Sequence, residues 1–197
     1  MSIVSLLNAL PGAVAQGLIW GIMAIGVYIT FRILDIADLT VDGTLCTGGA
    51  VCIMMMQSGH NVWVSLLVAL IAGLLAGMVT GLLHTFMGIP AILAGILTQL
   101  GLYSVNLKIM GKSNQAINVD KFDLLVSLRY IKNVPIYRNT ILLVAVIIVV
   151  LIAFLYWFFG TELGCSLRAT GCNDRMSRAQ GINTDFNRVL GLMISNG

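Results

Sequence analysis

Four stretches, Ala13 to Phe31, Val62 to Leu83, Ile89 to Leu107 and Thr140 to Phe159, run without a charged side chain. Each holds the roughly 20 residues that a helix needs to cross the ~30 Å hydrocarbon core of a bilayer. No water-soluble core has use for four such runs, so they constrain the fold more than any motif does. The overall balance agrees, with 58% hydrophobic residues, 10% charged and a mean hydropathy of +0.97, which places the chain in the helical membrane class. A fifth apolar segment, Leu39 to Gln57, is shorter. The first span is too long for a removable signal peptide and lacks its basic flank and small-residue cleavage site, so it counts as structure. The last residues, GLMISNG, read as the opening of another apolar helix, which makes the chain look truncated at its C-terminus. The expected architecture is all-α: one polytopic transmembrane helix bundle over residues 1–197, with about five spans or re-entrant helices plus the start of another.

Several function classes drop out. A net charge of +3 with no basic tract leaves nothing to bind nucleic acid. There is no GxxxxGK[ST] phosphate loop and no nucleophile beside a general base, so the chain reads as a non-enzyme that binds no cofactor itself. His60 and His84 have no acidic partner at HExxH spacing, which disfavours an intramembrane hydrolase. Cys46, Cys52, Cys165 and Cys172 lack CxxC or zinc-finger spacing and read as packing residues or free thiols, and no metal site is expected. Met54, Met55 and Met56 are consecutive, point different ways around a helix, and read as adaptable filler.

The stretch ILDIADLTVDG, residues 33 to 43, breaks this pattern: it holds Asp35, Asp38 and Asp42, three of the chain's 8 acidic residues. Burying all three at a bilayer centre would cost roughly 8 to 10 kcal/mol at about 2.5 to 3.5 each. They therefore belong at an interface or in a wet cavity. The apolar run after them, Gly43 to Gln57, would rise only about 22 Å as a helix, so this second helix either starts as early as Leu39 or dips in without crossing. Asp38, Thr40 and Asp42 cluster at its start, where side-chain oxygens cap free amides and the helix dipole favours a carboxylate. Ion pairing with Arg32 and a role in gating are the alternatives.

Two other helix faces stand out. Gly73, Gly77 and Gly81 recur every fourth residue and leave a smooth strip for close helix packing, or for a gate. Thr98, Gln99, Tyr103 and Asn106 bring polar groups into the span opened by Pro90. Gln99, Tyr103 and Asn106 share one face, as the lining of a polar pathway or as hydrogen-bonding links between helices.

The loop ELGCSLRATGCNDRMSRAQGINTDFNRVLGLM follows a span directly. Asn173 or Asp174 can cap a short helix that Gly181 ends, with Arg175 and Arg178 three apart on a polar face. Such a capped helix can pass force between a soluble partner and the bundle, or be an ordinary basic juxtamembrane loop. Lysine and arginine counting favours a cytoplasmic position for Lys108, Lys112, Lys121, Arg129, Lys132 and Arg138 over Arg168, Arg175, Arg178 and Arg188.

GLIWGIMAIGVYITFRILDIADLTVDGTLCTGGAV near the start and LGCSLRATGCNDRMSRAQGINTDFNRVLGLMISNG near the end together resemble the permease subunits of ABC importers in the branched-chain amino acid and ribose permease family. The subgroup with FRILD followed by DLTVDG is the most similar. The resemblance implies a subunit in the bacterial plasma membrane that pairs with a second permease copy or close relative. It would dock two cytoplasmic ATPase subunits, which bind ATP and Mg, and receive an amino acid, aromatic or branched-chain, from an extracytoplasmic binding lipoprotein. It also implies that residues 160–188 form the cytoplasmic coupling loop, with Arg168, Ala169, Thr170, Gly171, Asn173, Ala179, Gly181 and Ile182 as the ATPase-docking surface; Cys172 stands where an acidic or polar residue is expected. This orientation puts Lys108 to Arg138 outside, against the charge count. It makes Asp38, Asp42, Thr98, Gln99, Tyr103 and Asn106 candidates for the substrate pathway or its gate. The rival is an ion-coupled secondary transporter, which needs an intramembrane relay of ionisable groups that the spans lack outside the acidic stretch.

Overall fold

The computed structural model describes residues 3–113 and 140–197. The basic positions Lys121, Arg129, Lys132 and Arg138 lie outside the described residues. In chain order the elements are α1 (Ile3–Tyr28), a π-helical turn (Ile29–Ile33), α2 (Val41–Gln57), α3 (Val62–Thr85), α4 (Ala91–Met110), α5 (Thr140–Gly160), α6 (Glu162–Cys172), α7 (Asp174–Ala179) and α8 (Thr184–Asn196). No strand occurs among the described residues. Among the described residues four stretches are long and apolar enough to cross a membrane: Leu10–Ile33, Val62–Thr85, Ala91–Met110 and Ile141–Gly160. The fold is thus all-α and polytopic, and it begins its second helix two residues later than the earliest expected start, Leu39.

Residues group into two compact units, Met1–Ala24 with Asn118–Gly160 and Ile25–Ile117 with Thr161–Gly197. In the first, Ala15 and Val144 are buried while Val146, Val149, Val150 and Ile152 stay exposed, the distribution expected of a helix whose solvent is lipid. Phe154, Tyr156 and Trp157 are exposed near the end of α5, where amphipathic rings favour the headgroup level.

The second unit holds α2, α3, α4 and α8. Its interior is built from small and polar residues: Ser65, Thr80, Thr98, Thr184, Asn187 and Asn196 are buried beside Ala50, Ala76 and Ala94. Leu66, Leu67, Leu70, Ile71 and Leu75 of α3 face outward. This inversion is the membrane rule, because lipid gives apolar side chains no reason to hide and packing depends on close backbone approach. The glycine strip provides that approach. A Cβ on Gly73 or Gly77 would strike the carbonyls of Asn196 or Leu192, and one on Gly81 would lie 2.9 Å from Val189 Cα. Gly73, Gly77 and Gly81 therefore seat α8 along α3.

Leu34 to Ala37, His84 at the end of α3, Pro90 and Ala91 at the start of α4, and Thr170, Gly171 and Asp174 border one cleft. The acidic stretch, the α3–α4 turn and the α6–α7 hairpin thus share one end of this unit, and Lys108, near the far end of α4, lies at the other. From the shared end the chain descends in extended form. The chain turns at Asp35, at φ 55°, and re-enters helical geometry at Thr40, whose carbonyl accepts from the Thr44 N–H; Leu34, Ile36, Asp38 and Thr40 are buried in alternation with the more exposed Asp35, Ala37 and Leu39. A Cβ on Gly95 would lie 3.0 Å from the Leu39 nitrogen, and one on Gly43 would lie 3.3 Å from Gln99 Cγ. Gly95 and Gln99 stand about 6 and 12 Å along α4 from its first residue at ~1.5 Å per residue, so α2 begins well inside the span of α4. Irregular backbone is tolerated at such depth only where protein covers it or a cavity adjoins it.

Candidate functional site

The start of α2 is held by a buried polar network rather than by a simple cap. Asp38 Oδ1 accepts the Thr40 N–H at 2.9 Å and also the Thr40 hydroxyl. Its Oδ2 accepts from Asn196 Nδ2 at 2.7 Å. Asn196 Oδ1 in turn accepts from Thr44 Oγ1 at 2.9 Å and Thr40 Oγ1 at 3.2 Å. Asp38 thus takes up one free amide at the helix start and ties that start to α8. Among the described residues no ion pair joins Arg32 to any of the three aspartates, so the ion-pairing alternative finds no contact.

Beside this network a cleft of about 340 Å³ opens between α2 and α4, lined by Asp42, Gly43 and Cys46 on one side and Ile96, Gln99, Leu100, Tyr103 and Asn106 on the other. The polar face expected of α4 is therefore assembled, and α2 adds Asp42 to it. Asn106 is 5% exposed and its Oδ1 has no hydrogen-bond partner. Thr98 does not join this group: it is buried, and its hydroxyl donates back to the Ala94 carbonyl at 3.0 Å.

The hairpin from α6 to α8 is capped three times. Thr161 Oγ1 accepts from Gly164 N at 3.4 Å, Asn173 Oδ1 from Met176 N at 3.1 Å and Asn183 Oδ1 from Phe186 N at 3.1 Å. Gly181, at φ 84°, makes the turn after α7. Arg178 closes that turn, donating from Nη2 to Asp185 and from Nε to Thr184, both at 2.7 Å. Arg188 pairs with Asp174 at 3.3 Å. Two contacts root the hairpin in the bundle. Gly171 lies against the carbonyl of Ile33, the last residue of the π turn, so closely that a Cβ could not be accommodated. Asn187 Nδ2 donates to Thr170 Oγ1 at 2.9 Å and to Ser166 Oγ.

These contacts divide the eight residues expected to dock an ATPase. Arg168, Asn173, Ala179 and Gly181 are exposed, and Ala169 and Ile182 are half-buried. Thr170, 5% exposed, and Gly171 face the bundle. Thr170 is hydrogen-bonded to Asn187 and Gly171 lies against the Ile33 carbonyl, so both pack on the bundle. Sequence reasoning missed Asn187 and Asn196, whose only visible signal is a pair of amides in the final helix. It also missed the π turn, for which nothing in ITFRI is diagnostic. Among the described residues no three His, Cys, Asp or Glu side chains are grouped to hold a metal ion, and none of the four cysteines forms a disulfide.

Residues 10–196 match the family model described as the permease component of the branched-chain amino acid transport system. A tyrosine transport system permease protein of Clostridioides difficile is 38% identical over 191 residues, covering 97% of this chain and 61% of that protein. An uncharacterized protein of Rickettsia prowazekii is 38% identical over 193 residues, covering 97% of this chain and 65% of its own length. The chain thus spans less than two thirds of either relative. No solved structure matches it.

Proposed function

Because the chain belongs to the branched-chain amino acid transport permease family, we propose that it supplies half of the translocation pathway of an ATP-driven amino acid importer. The family assignment and the apolar spans make it a multi-pass membrane protein with a transport role. The observation that carries the finer reading is the way the α6–α8 hairpin is rooted: Gly171 sits on the π turn that ends α1, while α8 reaches Asp38, Thr40 and Thr44 at the start of α2. A push on the exposed side of α6 and α7 would reach both elements that flank the extended stretch.

In this reading a cytoplasmic ATPase, carrying ATP and Mg, docks on the surface that includes Arg168, Asn173, Ala179 and Gly181. A second permease subunit completes the pathway and an extracytoplasmic binding lipoprotein delivers the cargo. Asp42, Gln99, Tyr103 and Asn106 line the route, with Asp38 setting the position of its α2 wall. The Clostridioides relative's name supports an aromatic amino acid as cargo, tyrosine first. The test is tyrosine uptake into vesicles holding the permease with and without its ATPase and binding lipoprotein. The importer reading expects uptake only with both partners and ATP. Uptake driven by an ion gradient without the ATPase would replace it with the secondary-transporter alternative.

A further inference from the structure

The cleft between α2 and α4 has a chemical bias that the pathway reading does not require. Asn106 is nearly inaccessible on α4, lines the cleft and leaves Oδ1 without a donor. A buried amide oxygen is rarely left so unless something absent from the chain donates to it. Across the cleft, in the first turn of α2, no hydrogen bond or ion pair among the described residues reaches the exposed Asp42 carboxylate. Gln99 and Tyr103 lie between them on the α4 wall, and both can accept as well as donate. None of the lining residues is Lys, Arg or His, and the remaining wall is Gly43, Cys46, Ile96 and Leu100.

An anion placed here would meet a carboxylate and an unpaired carbonyl oxygen. A cation with several N–H donors would suit either acceptor. We infer that this cleft is a subsite for the protonated amino group of the transported amino acid, with the Asp42 carboxylate as its acceptor, Asn106 Oδ1 as a further acceptor for the cargo's donors, and the apolar wall against the side chain. The inference rests on the reading of the cleft as part of the pathway and adds to it the end of the cargo that is recognised. Its volume, about 340 Å³, lies within the range of small-molecule sites. Because no cationic side chain lines the cleft to pair with the α-carboxylate, a primary amine lacking that group should bind, and an acid lacking the amine should not.

Cys46 lines the same cleft and is exposed, so it reports occupancy directly. In the intact transporter in lipid nanodiscs, with Cys52, Cys165 and Cys172 replaced by Ser, the rate of Cys46 modification by a charged methanethiosulfonate is measured with tyrosine, tyramine or hydroxyphenylpropionate. A ligand at about ten times its Kd leaves about a tenth of sites open, so tyrosine and tyramine are expected to slow modification about tenfold. Hydroxyphenylpropionate should leave the rate unchanged, and Asp42→Asn should abolish protection while Cys46 stays reactive. Equal protection by hydroxyphenylpropionate overturns ammonium recognition and leaves the pathway reading standing. No protection by any ligand, or no modification of Cys46 at all, also overturns it. Uptake by Asp42→Asn then separates the two readings: undiminished uptake removes the cleft from the pathway, whereas lost uptake keeps it there.

Discussion

Asp38 and Asp42 stand four residues apart at the head of one helix, and their surroundings give them opposite tasks. Asp38 is 8% exposed and accepts from Thr40 and from Asn196, so its carboxylate is a structural joint. Asparagine in its place can still take the Thr40 amide, but its NH₂ would then face the NH₂ of Asn196. Asp38→Asn is expected to destabilise the protein by about 1–3 kcal/mol, measured as thermal unfolding in detergent, because a buried donor loses its acceptor. Asp42→Asn breaks no bond and should leave the unfolding temperature within error while impairing uptake. The same contrast holds between glycines. Gly171→Ala puts a methyl group into the Ile33 carbonyl and should cost about 1–3 kcal/mol despite alanine's better helix propensity. Gly101→Ala meets nothing within 4 Å and should be neutral or stabilising in the same measurement. The type of residue at these positions was legible in the sequence, whereas the neighbour that decides its role was not: Asp38 and Asn196 are 158 positions apart, and no local pattern encodes that distance.

At the scale of elements, α8 is the connection between the hairpin and the α2 start. It lies on the glycine strip of α3, holds α6 through Asn187 and reaches the acidic stretch through Asn196. Asn187→Ala should therefore separate two activities, leaving ATP hydrolysis by the assembled transporter near its normal rate while reducing tyrosine uptake per ATP. If both fell together, α8 would be a fold element and not a link. Uncharged apolar length located the spans, and 3.6-residue repetition located the Gln99, Tyr103 and Asn106 face. The length of the apolar run left the second helix either starting as early as Leu39 or dipping in without crossing, and the helix starts at Val41. Capping residues announce where a helix begins along the chain, whereas the depth of that beginning depends on Gly95 and Gly43 letting the extended stretch and α2 settle against α4. The cap at Asn173 and the turn at Gly181 were legible because both are set by local backbone chemistry.

At the scale of the whole molecule, the apolar spans and the family match describe a membrane transport subunit, and within its second unit the acidic stretch and the hairpin share one end. Composition identified the bilayer as its solvent. The side of the membrane on which the hairpin lies was beyond the charge count, because Arg168, Arg175, Arg178 and Arg188 compete with a longer loop of equal character and the positive-inside bias weakens with loop length. The proposed mechanism requires a cytoplasmic motor that acts on the α6–α7 hairpin. Its most direct test is the labelling of Cys172, exposed at the end of α6, by a membrane-impermeant maleimide in a variant whose other cysteines are Ser. Labelling in inverted membrane vesicles but not in intact cells is the expected result; labelling from outside intact cells would contradict the account.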